Sequence, residues 1–446
     1  MRLCSRSIPL ILCLAGCTAA PTAPTPTPTP SPTPTPTPSP SPTPMATTSY
    51  LRDVQPLIER SCLGCHTAGG VAPLAFDDPA AVVTLAPAIQ GAITSGRMPP
   101  FYASDDCAHY ERDPRLSAEE KALIATWVSE GAPLGDVADA RHASPIAPTV
   151  IRHDKVMDIG GDFDAKVMTQ TDNYRCFVMD PGASSDFMVS GYEVLPDNKA
   201  LVHHVLAYLV APANVAELQG LDDADPGLGY ECMAGGVGVR GAVSNQVAGW
   251  IPGGSATKLP AGTGLAVAQG SKIVIQIHYN LLALAGGGSS LDKTRLALET
   301  APAGSLAEAK ILPMVKHNLA IDAYDANSVQ VAELPLPRAQ VGTTVYRLTG
   351  HMHMLGKQVR LEVVHTDGSS SCLLDIPNWD FQWQREYSLV TPYRVAAGDR
   401  LKITCVYDNS AAHQPVVNGT QQTPRDVTWG ESSLDEMCMT YMTFTP

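Results

Sequence analysis

The sequence is poor in charged residues, and most of its charge is negative. Only 17% of the 446 residues are Asp, Glu, Lys or Arg, and the formal net charge at pH 7 is -14. A surface of this sign repels a phosphate backbone, so nucleic acid is not an expected partner. Long apolar runs are absent after the N-terminus, so no membrane-spanning helix is expected there. The length predicts about two to four domains.

The first residues have the pattern of an export signal. Arg2 and Arg6 precede a short apolar stretch that ends in small residues before Cys17. The pattern resembles a bacterial lipoprotein signal, with residues 1–16 removed and lipid attached to Cys17; an ordinary secretory signal is the alternative. It predicts a protein of the bacterial cell envelope, held at the outer membrane by its lipid alone and facing the periplasm or the cell surface.

Residues 17–47 are dominated by Pro alternating with Thr or Ser. Such a composition cannot build a core, and it favours polyproline II. We expect a semi-rigid tether, which over residues 21–44 could reach on the order of 75 Å at ~3.1 Å per residue.

A haem-attachment motif follows the tether. Cys62, Cys65 and His66 form C-x-x-C-H, the signature of covalently bound c-type haem. The two cysteines would bind the haem, and His66 would be an axial iron ligand. A redox dithiol or half of a zinc site is the alternative, but neither needs the histidine.

The surroundings of this motif are helical. Apolar residues recur at helical spacing just before it, and Ser117 with Glu120 forms a capping box at the start of a second helix that ends at Gly131. Helix, motif, loop and closing helix resemble a small all-α class I cytochrome c, which we place at residues 48–140.

The sixth iron ligand is predicted to be Met98. It lies in a Met-Pro-Pro sequence that recurs in cytochromes of this class, and a thioether there raises the potential relative to two histidines. His109 is the competing candidate.

From about residue 150 the pattern changes to antiparallel β-structure, either a sandwich or a jelly roll. Short apolar or alternating runs are separated by Gly, Pro, Asn and Asp clusters. In this region His203 and His204 are adjacent, so a regular strand would point them to opposite faces. If both bind one ion, the strand must bend or bulge there, or the rings must use different nitrogens. The alternative is one core and one exposed histidine.

Two further stretches carry histidine. His278 ends a strand-like run in which alternate isoleucines form the opposite face; taken alone it is more simply a buried, hydrogen-bonded residue. His351 and His353 are two residues apart, so one strand would place both on one face, where paired imidazoles suit a metal better than a core. Met352 and Met354 are then expected to pack in the core on the other face.

The last stretch contains Asp-Glu-Met-Cys. As a strand it would place Met437, Met439 and Tyr441 on one face, and Cys438 on the other, where it could pair with Cys405. A methionine-rich core strand is the alternative.

Together these stretches resemble the copper type II, ascorbate-dependent monooxygenases, the family of peptidylglycine alpha-hydroxylating monooxygenase and dopamine beta-hydroxylase. His-His, Ile-His-Tyr, His-x-His-x-Leu-Gly-Lys and Asp-Glu-Met-Cys occur in the family's order over about residues 155–446, and the segment 378–387 resembles its Trp-Asp-Phe segment. The resemblance implies two all-β jelly-roll domains, at 150–300 and 301–446, each holding one copper ion and facing the other across a solvent-filled cleft.

The resemblance also assigns ligands. One copper, the H site, would transfer electrons and be held by His203, His204 and His278. The other, the M site, would bind dioxygen and be held by His351, His353 and Met437, which are the expected catalytic residues. Thioether sulfur favours Cu(I), the state that binds dioxygen. Cys405 and Cys438 match a family disulfide that braces the methionine, and Tyr441 is a candidate on the substrate side.

The implied activity is hydroxylation of a C–H bond in a small organic substrate by dioxygen. The electrons would come from an ascorbate-like reductant or a periplasmic redox protein, with the single haem c as a relay to the two copper ions. Thr349 replaces an arginine that peptide-processing members use to bind a carboxylate, and Met439 replaces a polar residue. A small amine, apolar or aromatic substrate is therefore expected.

Two other functions are compatible with the motifs. The chain could be an envelope haem and copper protein that transfers electrons without hydroxylating, or a copper-binding module whose haem senses redox state. The intact Met437 motif favours the oxygenase, because a pure relay needs no soft, open copper site.

Four cysteines have no partner assigned by sequence. They allow three disulfide connectivities among themselves, and they are Cys107, Cys176, Cys232 and Cys372.

Overall fold

The computed structural model describes most of the chain after residue 46. The described residues are 47–68, 72–144, 146, 149–167, 172–232, 236–251, 254–281, 288–335, 342–381, 383–417, 420–430 and 434–445. The chain divides into two units, Met1–Met45 and Ala46–Pro446, and every element described lies in the second. The predicted signal, Cys17 and the tether up to residue 46 lie outside the described residues.

Helices dominate the first hundred described residues. A short π-helix, Tyr50–Val54, leads into α1 (Gln55–Ser61), and α2 (Pro79–Thr94) and α3 (Ala118–Ser129) follow. Their buried faces form one apolar cluster, which includes Trp127 with no exposed surface.

The start of α3 carries the capping box predicted from the sequence. The Ser117 hydroxyl accepts a hydrogen bond from the Glu120 backbone N–H, and the Glu120 carboxylate accepts one from the Ser117 backbone N–H. The same carboxylate accepts two hydrogen bonds from Arg60 at 2.8 and 2.9 Å. A single side chain therefore caps α3 and ties it to the end of α1.

Two sheets with a shared apolar core make up the first β region. The strands are β1 (Lys155–Asp158), β2 (Phe163–Asp164), β3 (Asp172–Met179), β4 (Phe187–Leu195), β5 (Val202–Val210), β6 (Tyr230–Glu231), β7 (Gln246–Trp250), β8 (Thr257–Lys258), β9 (Thr263–Val267), β10 (Lys272–Asn280), β11 (Leu291–Asp292), β12 (Arg295–Pro302) and β13 (Ala307–Glu308). In one sheet the strand order is β1-β12-β4-β9-β13, and β8 also pairs with β4. In the other sheet the order is β6-β3-β10-β5-β7. The short strands β2 and β11 pair with each other. A fourth helix, α4 (Val215–Ala224), follows β5.

The second β region repeats this arrangement. Its strands are β14 (Lys310–Val315), β15 (Ser328–Pro335), β16 (Thr344–His351), β17 (Gly356–Val364), β18 (Ser370–Ile376), β19 (Glu386–Arg394), β20 (Arg400–Tyr407), β21 (Val416–Val417), β22 (Thr420–Gln421) and β23 (Met439–Thr445). The orders are β14-β23-β16-β19 and β15-β20-β17-β18, with β21 paired to β22. The prediction of sandwich-like, mainly antiparallel sheets is confirmed.

A loop of the helical region is built into the second β region. This docking loop, residues 101–111, places Phe101 and Tyr110 in the core of the second β region. Tyr110 also forms a β-bridge with Leu389 of β19, and Cys107 is disulfide-bonded to Cys372 of β18. Because apolar, backbone and covalent contacts all join them, the helical region is fixed to the second β region.

None of the helices among the described residues is long and apolar enough to cross a membrane.

Candidate metal centres

Three histidines converge at the ends of β5 and β10. The two strands pair with His278 opposite His204, but the next pair is Tyr279 with Val202, so His203 is an extra residue in a β-bulge. A bulge turns its side chain away from the normal alternation. Both adjacent histidines can therefore face His278, which is one of the alternatives left open by the sequence.

The spacing of the three rings fits a metal ion. The Nδ1 atom of His204 lies 3.3 Å from the Nδ1 atoms of both His203 and His278, and one ring nitrogen from each histidine lies within 4.8 Å of the others. Two nitrogens about 2.0 Å from one ion lie about 3.3 Å apart at a tetrahedral angle. Imidazole binds copper in both of its common oxidation states.

Burial favours the neutral form of the His204 ring, which is the form that binds a metal ion. Removal from water, and then the neighbouring imidazoles, hold the pKa of His204 well below its usual value. Tyr174 stacks on His278 with ring centroids 4.3 Å apart, which fixes the plane of that ring.

The second histidine pair lies at the end of a strand. His351 is the last residue of β16, and His353 lies in the turn that follows. The expectation that both share a strand face is therefore wrong: their ring centroids are 5.2 Å apart, but the planes are nearly perpendicular, at 88°. Met352 is fully buried in the core as expected, whereas Met354 is only half-buried and lines a cavity.

Hydrogen bonds at Nδ1 orient both rings. Gln384 contacts His351 Nδ1 through Oε1 at 2.6 Å, and the Asp435 carbonyl contacts His353 Nδ1 at 3.2 Å. Such contacts fix the tautomer and make Nε2 the ligand atom. Burial also lowers the pKa of His351.

Met437 lies just before β23 rather than on it. The strand begins at Met439, so the predicted alternation through Met437 does not apply. Met437 is buried, and its carbonyl accepts a hydrogen bond from Tyr407 at 2.8 Å. Cys438 beside it is bonded to Cys405 of β20.

The buried carboxyl group of Glu436 links the two parts of this site. It accepts from the backbone N–H groups of His353 at 2.8 Å, Leu355 at 2.6 Å and Met437 at 3.3 Å. Burial raises the pKa of Glu436 to about 8, although these donors act in the opposite direction. Glu436 was not recognised from the sequence, although it stands inside the Asp-Glu-Met-Cys motif.

One phenyl ring lies between the two histidine groups. The Phe381 centroid is 5.6 Å from that of His203, at 25°, and 6.1 Å from that of His353, at 89°. The resemblance implies a solvent-filled cleft, but at this point the gap is occupied by an aromatic side chain. Phe381 belongs to the Trp-Asp-Phe segment. The similarity of that segment to the family was the sequence signal that could have identified Phe381 as part of the site.

Tyr441 faces the first β region. It is partly buried against the core of that region, and its register partner in β16 is Thr349. The residue that replaces the carboxylate-binding arginine therefore lies directly beside the substrate-side candidate.

The Cys-x-x-Cys-His segment begins where α1 ends. Cys62 and Cys65 are both unbonded, whereas the six other cysteines among the described residues form disulfides, the third pair being Cys176–Cys232. His66 Nδ1 contacts the Leu74 carbonyl at 2.9 Å, which leaves Nε2 as its ligand atom. Two thiols and an oriented imidazole are what covalent haem attachment requires.

The two candidates for the sixth ligand lie in different places. Met98 is half-buried in the turn after α2. His109 lies in the docking loop, where its carbonyl accepts from the Val390 N–H of β19 at 2.9 Å.

One known family matches the C-terminal part of the chain. Residues 306–446 match the copper type II ascorbate-dependent monooxygenase, C-terminal domain. The matched range contains the three residues expected at the M site, His351, His353 and Met437, and the Cys405–Cys438 pair. For residues 306–446 the match supports copper-dependent oxygenase chemistry in general, with dioxygen, a reductant such as ascorbate and a small-molecule substrate.

The remaining comparisons add little to this assignment. No curated protein matches the chain. Among solved structures, the chain is similar to the major capsid protein P2 of bacteriophage PM2 (8% identity, 65% of this chain and 97% of that chain, TM-score 0.25). It is also similar to an infectious bursal disease virus structure (8%, 68% and 74%, TM-score 0.19) and to the allantoicase of Saccharomyces cerevisiae (7%, 61% and 78%, TM-score 0.16). Scores this low carry no argument about function.

A cavity of about 650 Å³ borders the second β region beside the His353 turn. Its wall includes Met354 and Phe381, which flank the His353 turn, and Arg97 and Tyr102 from the helical region. The cavity lining includes aromatic, cationic and acidic side chains, and the acidic one is Asp380.

Proposed function

We propose that this chain is a copper-dependent monooxygenase that hydroxylates a C–H bond of a small organic substrate. The reaction consumes R–H, dioxygen, two electrons and two protons, and gives R–OH and water. The observation that carries the proposal is the pairing of two distinct histidine groups about one phenyl ring. One group is a three-nitrogen cluster of metal-ligand spacing, and the other lies beside a buried methionine within the matched domain.

The chain's own residues have separate tasks in this proposal. His203, His204 and His278 hold the H copper, and His351, His353 and Met437 hold the M copper. Bound copper supplies one-electron chemistry and dioxygen activation. Glu436 holds the His353 turn against Met437, and Gln384 orients His351.

The cavity beside Phe381 is where we place the substrate. Its aromatic wall suits a small apolar or aromatic molecule, and Asp380 adds a carboxylate that an amine could contact. Tyr441, beside Thr349, is the candidate for contact with substrate from the side of the first β region.

Electrons are proposed to reach the copper ions through a haem c. Cys62 and Cys65 attach it, and His66 and Met98 are its proposed axial ligands. An ascorbate-like reductant or a periplasmic redox protein reduces it. Since the docking loop fixes the helical region to the second β region, this transfer should be intramolecular.

The proposed cellular location is based on the N-terminal sequence. Lipid on Cys17 and the tether of residues 17–47 would hold the enzyme at the outer membrane, facing the periplasm or the cell surface, with no membrane-spanning segment required.

The test is an oxygen-pulse experiment on full-length, haem- and copper-loaded protein. The protein is reduced without oxygen, mixed with a panel of amines and small aromatic molecules, and pulsed with dioxygen. A product heavier by one oxygen atom, with the label retained from heavy-isotope dioxygen, supports hydroxylation. Bound metals with oxygen consumption that no substrate accelerates would favour the electron-transfer alternative.

The relay has its own test by stopped-flow spectroscopy. Pre-reduced haem should be reoxidised in a first-order step when the coppers are cupric, at a rate independent of protein concentration. Haem that reoxidises only with an added mediator would refute the relay.

A further inference from the structure

A buried carboxylate group joins the chain segments on either side of the three-histidine site. Asp292 is the last residue of β11 and is only 1% exposed. It accepts hydrogen bonds from the Tyr279 hydroxyl at 2.9 Å, the Asn198 N–H at 3.1 Å, and the hydroxyl and N–H of Thr294 at 3.0 and 3.3 Å. A carboxylate removed from water is costly unless donors satisfy it, so this group holds its donors in place.

One of these donors stands at the β-bulge of the three-histidine site. Tyr279 follows His278 in β10, and its partner in β5 is Val202, at the point where the register of the two strands shifts. The Tyr279 ring is fully buried and stacks on Phe163 with ring centroids 5.3 Å apart. The stacking and the hydrogen bond to Asp292 together fix the β10 side of the bulge.

Another donor belongs to the turn that leads into β5. The Asn198 carbonyl accepts from the Val202 N–H at 2.9 Å, and the Asn198 Oδ1 atom accepts from the Leu201 N–H at 3.3 Å. The Leu201 carbonyl in turn accepts from the Asn280 N–H of β10 at 2.9 Å. Because the Asn198 N–H bonds Asp292, the β5 side of the bulge starts from a turn that is held to the same carboxylate.

The direction of the His203 ring depends on both sides of the bulge. Two register pairs define it, His278 with His204 and Tyr279 with Val202, and His203 is the extra residue between them. A shift of one residue in the pairing of a strand turns its side chains to the other face. Without the bulge, the two adjacent histidines would point to opposite faces of the sheet and could not meet at one ion.

We propose that Asp292 is a positioning residue for the H copper, because it binds both sides of the bulge that turns His203 and His204 towards one ion. This inference rests on the proposed function. Adjacent side chains of a strand point to opposite faces, so Tyr279 points away from the face of His278. Asp292 therefore acts through the backbone of β5 and β10 and not as a metal ligand.

The experiment compares Tyr279→Phe with Tyr230→Phe in the full-length, copper-loaded protein. Each change removes one buried hydroxyl of the first β region, and that of Tyr230 donates to the Val237 carbonyl at 2.6 Å, so Tyr230→Phe is a matched control. Competition with a copper chelator gives the affinity of each copper site, and electron paramagnetic resonance gives the spectra of the cupric sites. Tyr279→Phe should weaken the H copper about tenfold and change its hyperfine splitting, as loss of an outer partner of a metal site does. Tyr230→Phe should do neither.

A second variant changes the carboxylate itself. Asp292→Asn keeps the shape but puts a donor where an acceptor stood, so it should weaken the H copper at least as much as Tyr279→Phe. In both variants the M copper should keep its wild-type affinity, because its residues lie in the second β region. Wild-type affinity of the H copper in Tyr279→Phe, or equal weakening of both copper sites, would overturn the inference. A wild-type protein that binds no copper at the three histidines would instead contradict the proposed function.

Discussion

Two nearby methionines are expected to have different roles, one as a copper ligand and the other as a core residue. Met437 precedes β23 beside the Glu436 carboxyl, whereas Met439 lies on β23, paired in register with His351 and Val315. We expect Met437→Ile to abolish hydroxylation and to remove the sulfur ligand, because the soft thioether stabilises Cu(I) at the M site alone. Copper at the three-histidine site should remain, as seen by copper content and electron paramagnetic resonance.

Met439→Ile is the matched control, since it makes the same chemical change on the strand. It should retain both coppers and measurable activity, with at most the small loss expected of a volume-conserving core change. If Met439→Ile lost the M copper and Met437→Ile kept it, the assignment of Met437 would be wrong.

Glu436 should matter for the M site although it binds no metal. Glu436→Gln replaces one acceptor oxygen by a donor, so one of the three backbone N–H groups loses its partner. Leaving a buried donor unsatisfied costs about 1–3 kcal/mol. We expect a lower thermal midpoint and weaker binding of the M copper, measured by competition with a copper chelator.

The three-histidine copper is the internal control for that experiment, because the Glu436 carboxylate accepts hydrogen bonds from the His353 turn and Met437, and none of the described hydrogen bonds joins it to the three histidines. Equal weakening of both copper sites would show a general loss of stability instead of a local role.

At the scale of single elements, the strand ends explain where sequence reasoning succeeded and failed. Residue type and order singled out the three histidines that converge at the first site, and strand geometry offered a bulge there as one of several alternatives. The end of β16 at His351 and the start of β23 at Met439 could not be predicted, since alternation shows which residues share a face but not where pairing stops. The perpendicular His351 and His353 rings result from that unpredicted turn.

The helix α3 gives a pH-dependent prediction. The hydrogen bonds from Arg60, together with the Ser117 N–H, hold the pKa of Glu120 below its usual value, against the opposing effect of partial burial. A lowered pKa means that the contribution to stability is complete above about pH 4.5 and is lost as the pH falls through the folded-state value. Glu120→Gln should therefore be less stable than wild type at neutral pH, by about 1 kcal/mol or less for a partly exposed pair.

Thermal unfolding followed by the helical circular dichroism signal between pH 7 and pH 3 would check this. The difference between Glu120→Gln and wild type should shrink as the pH falls. Glu217→Gln, an exposed change on α4, should show no such trend. A difference for Glu120→Gln that is the same at every pH would contradict the assigned role.

At the scale of the whole molecule, the main surprise is the docking loop. The sequence placed residues 101–111 in an isolated cytochrome-like region, and four unassigned cysteines allowed three pairings. Cys107 and Cys372 are 265 residues apart, and no local pattern reports a contact at that separation. Long-range disulfide pairing of this kind depends on how the folded domains pack against each other. Composition and hydrophobic periodicity do not report that packing.

Removing this disulfide should uncouple the regions. Cys107→Ser with Cys372→Ser should slow haem reoxidation and expose the docking loop to proteolysis, because the loop would lose its covalent link and be held by apolar contacts and hydrogen bonds. Cys176→Ser with Cys232→Ser is the matched control, since that disulfide lies within the first β region. Each double variant should lose stability, by about 2–5 kcal/mol, but equal haem reoxidation rates in the two would contradict the coupling role of the docking loop.

The metal content of the full-length chain tests the central claim most directly. Protein exported with its haem, loaded with copper and freed of unbound metal should contain about two copper ions per haem iron. That ratio is expected because the H-site and M-site residues form two separate donor sets and one Cys-x-x-Cys-His motif is present. A copper-to-iron ratio near zero with the haem intact would contradict the account.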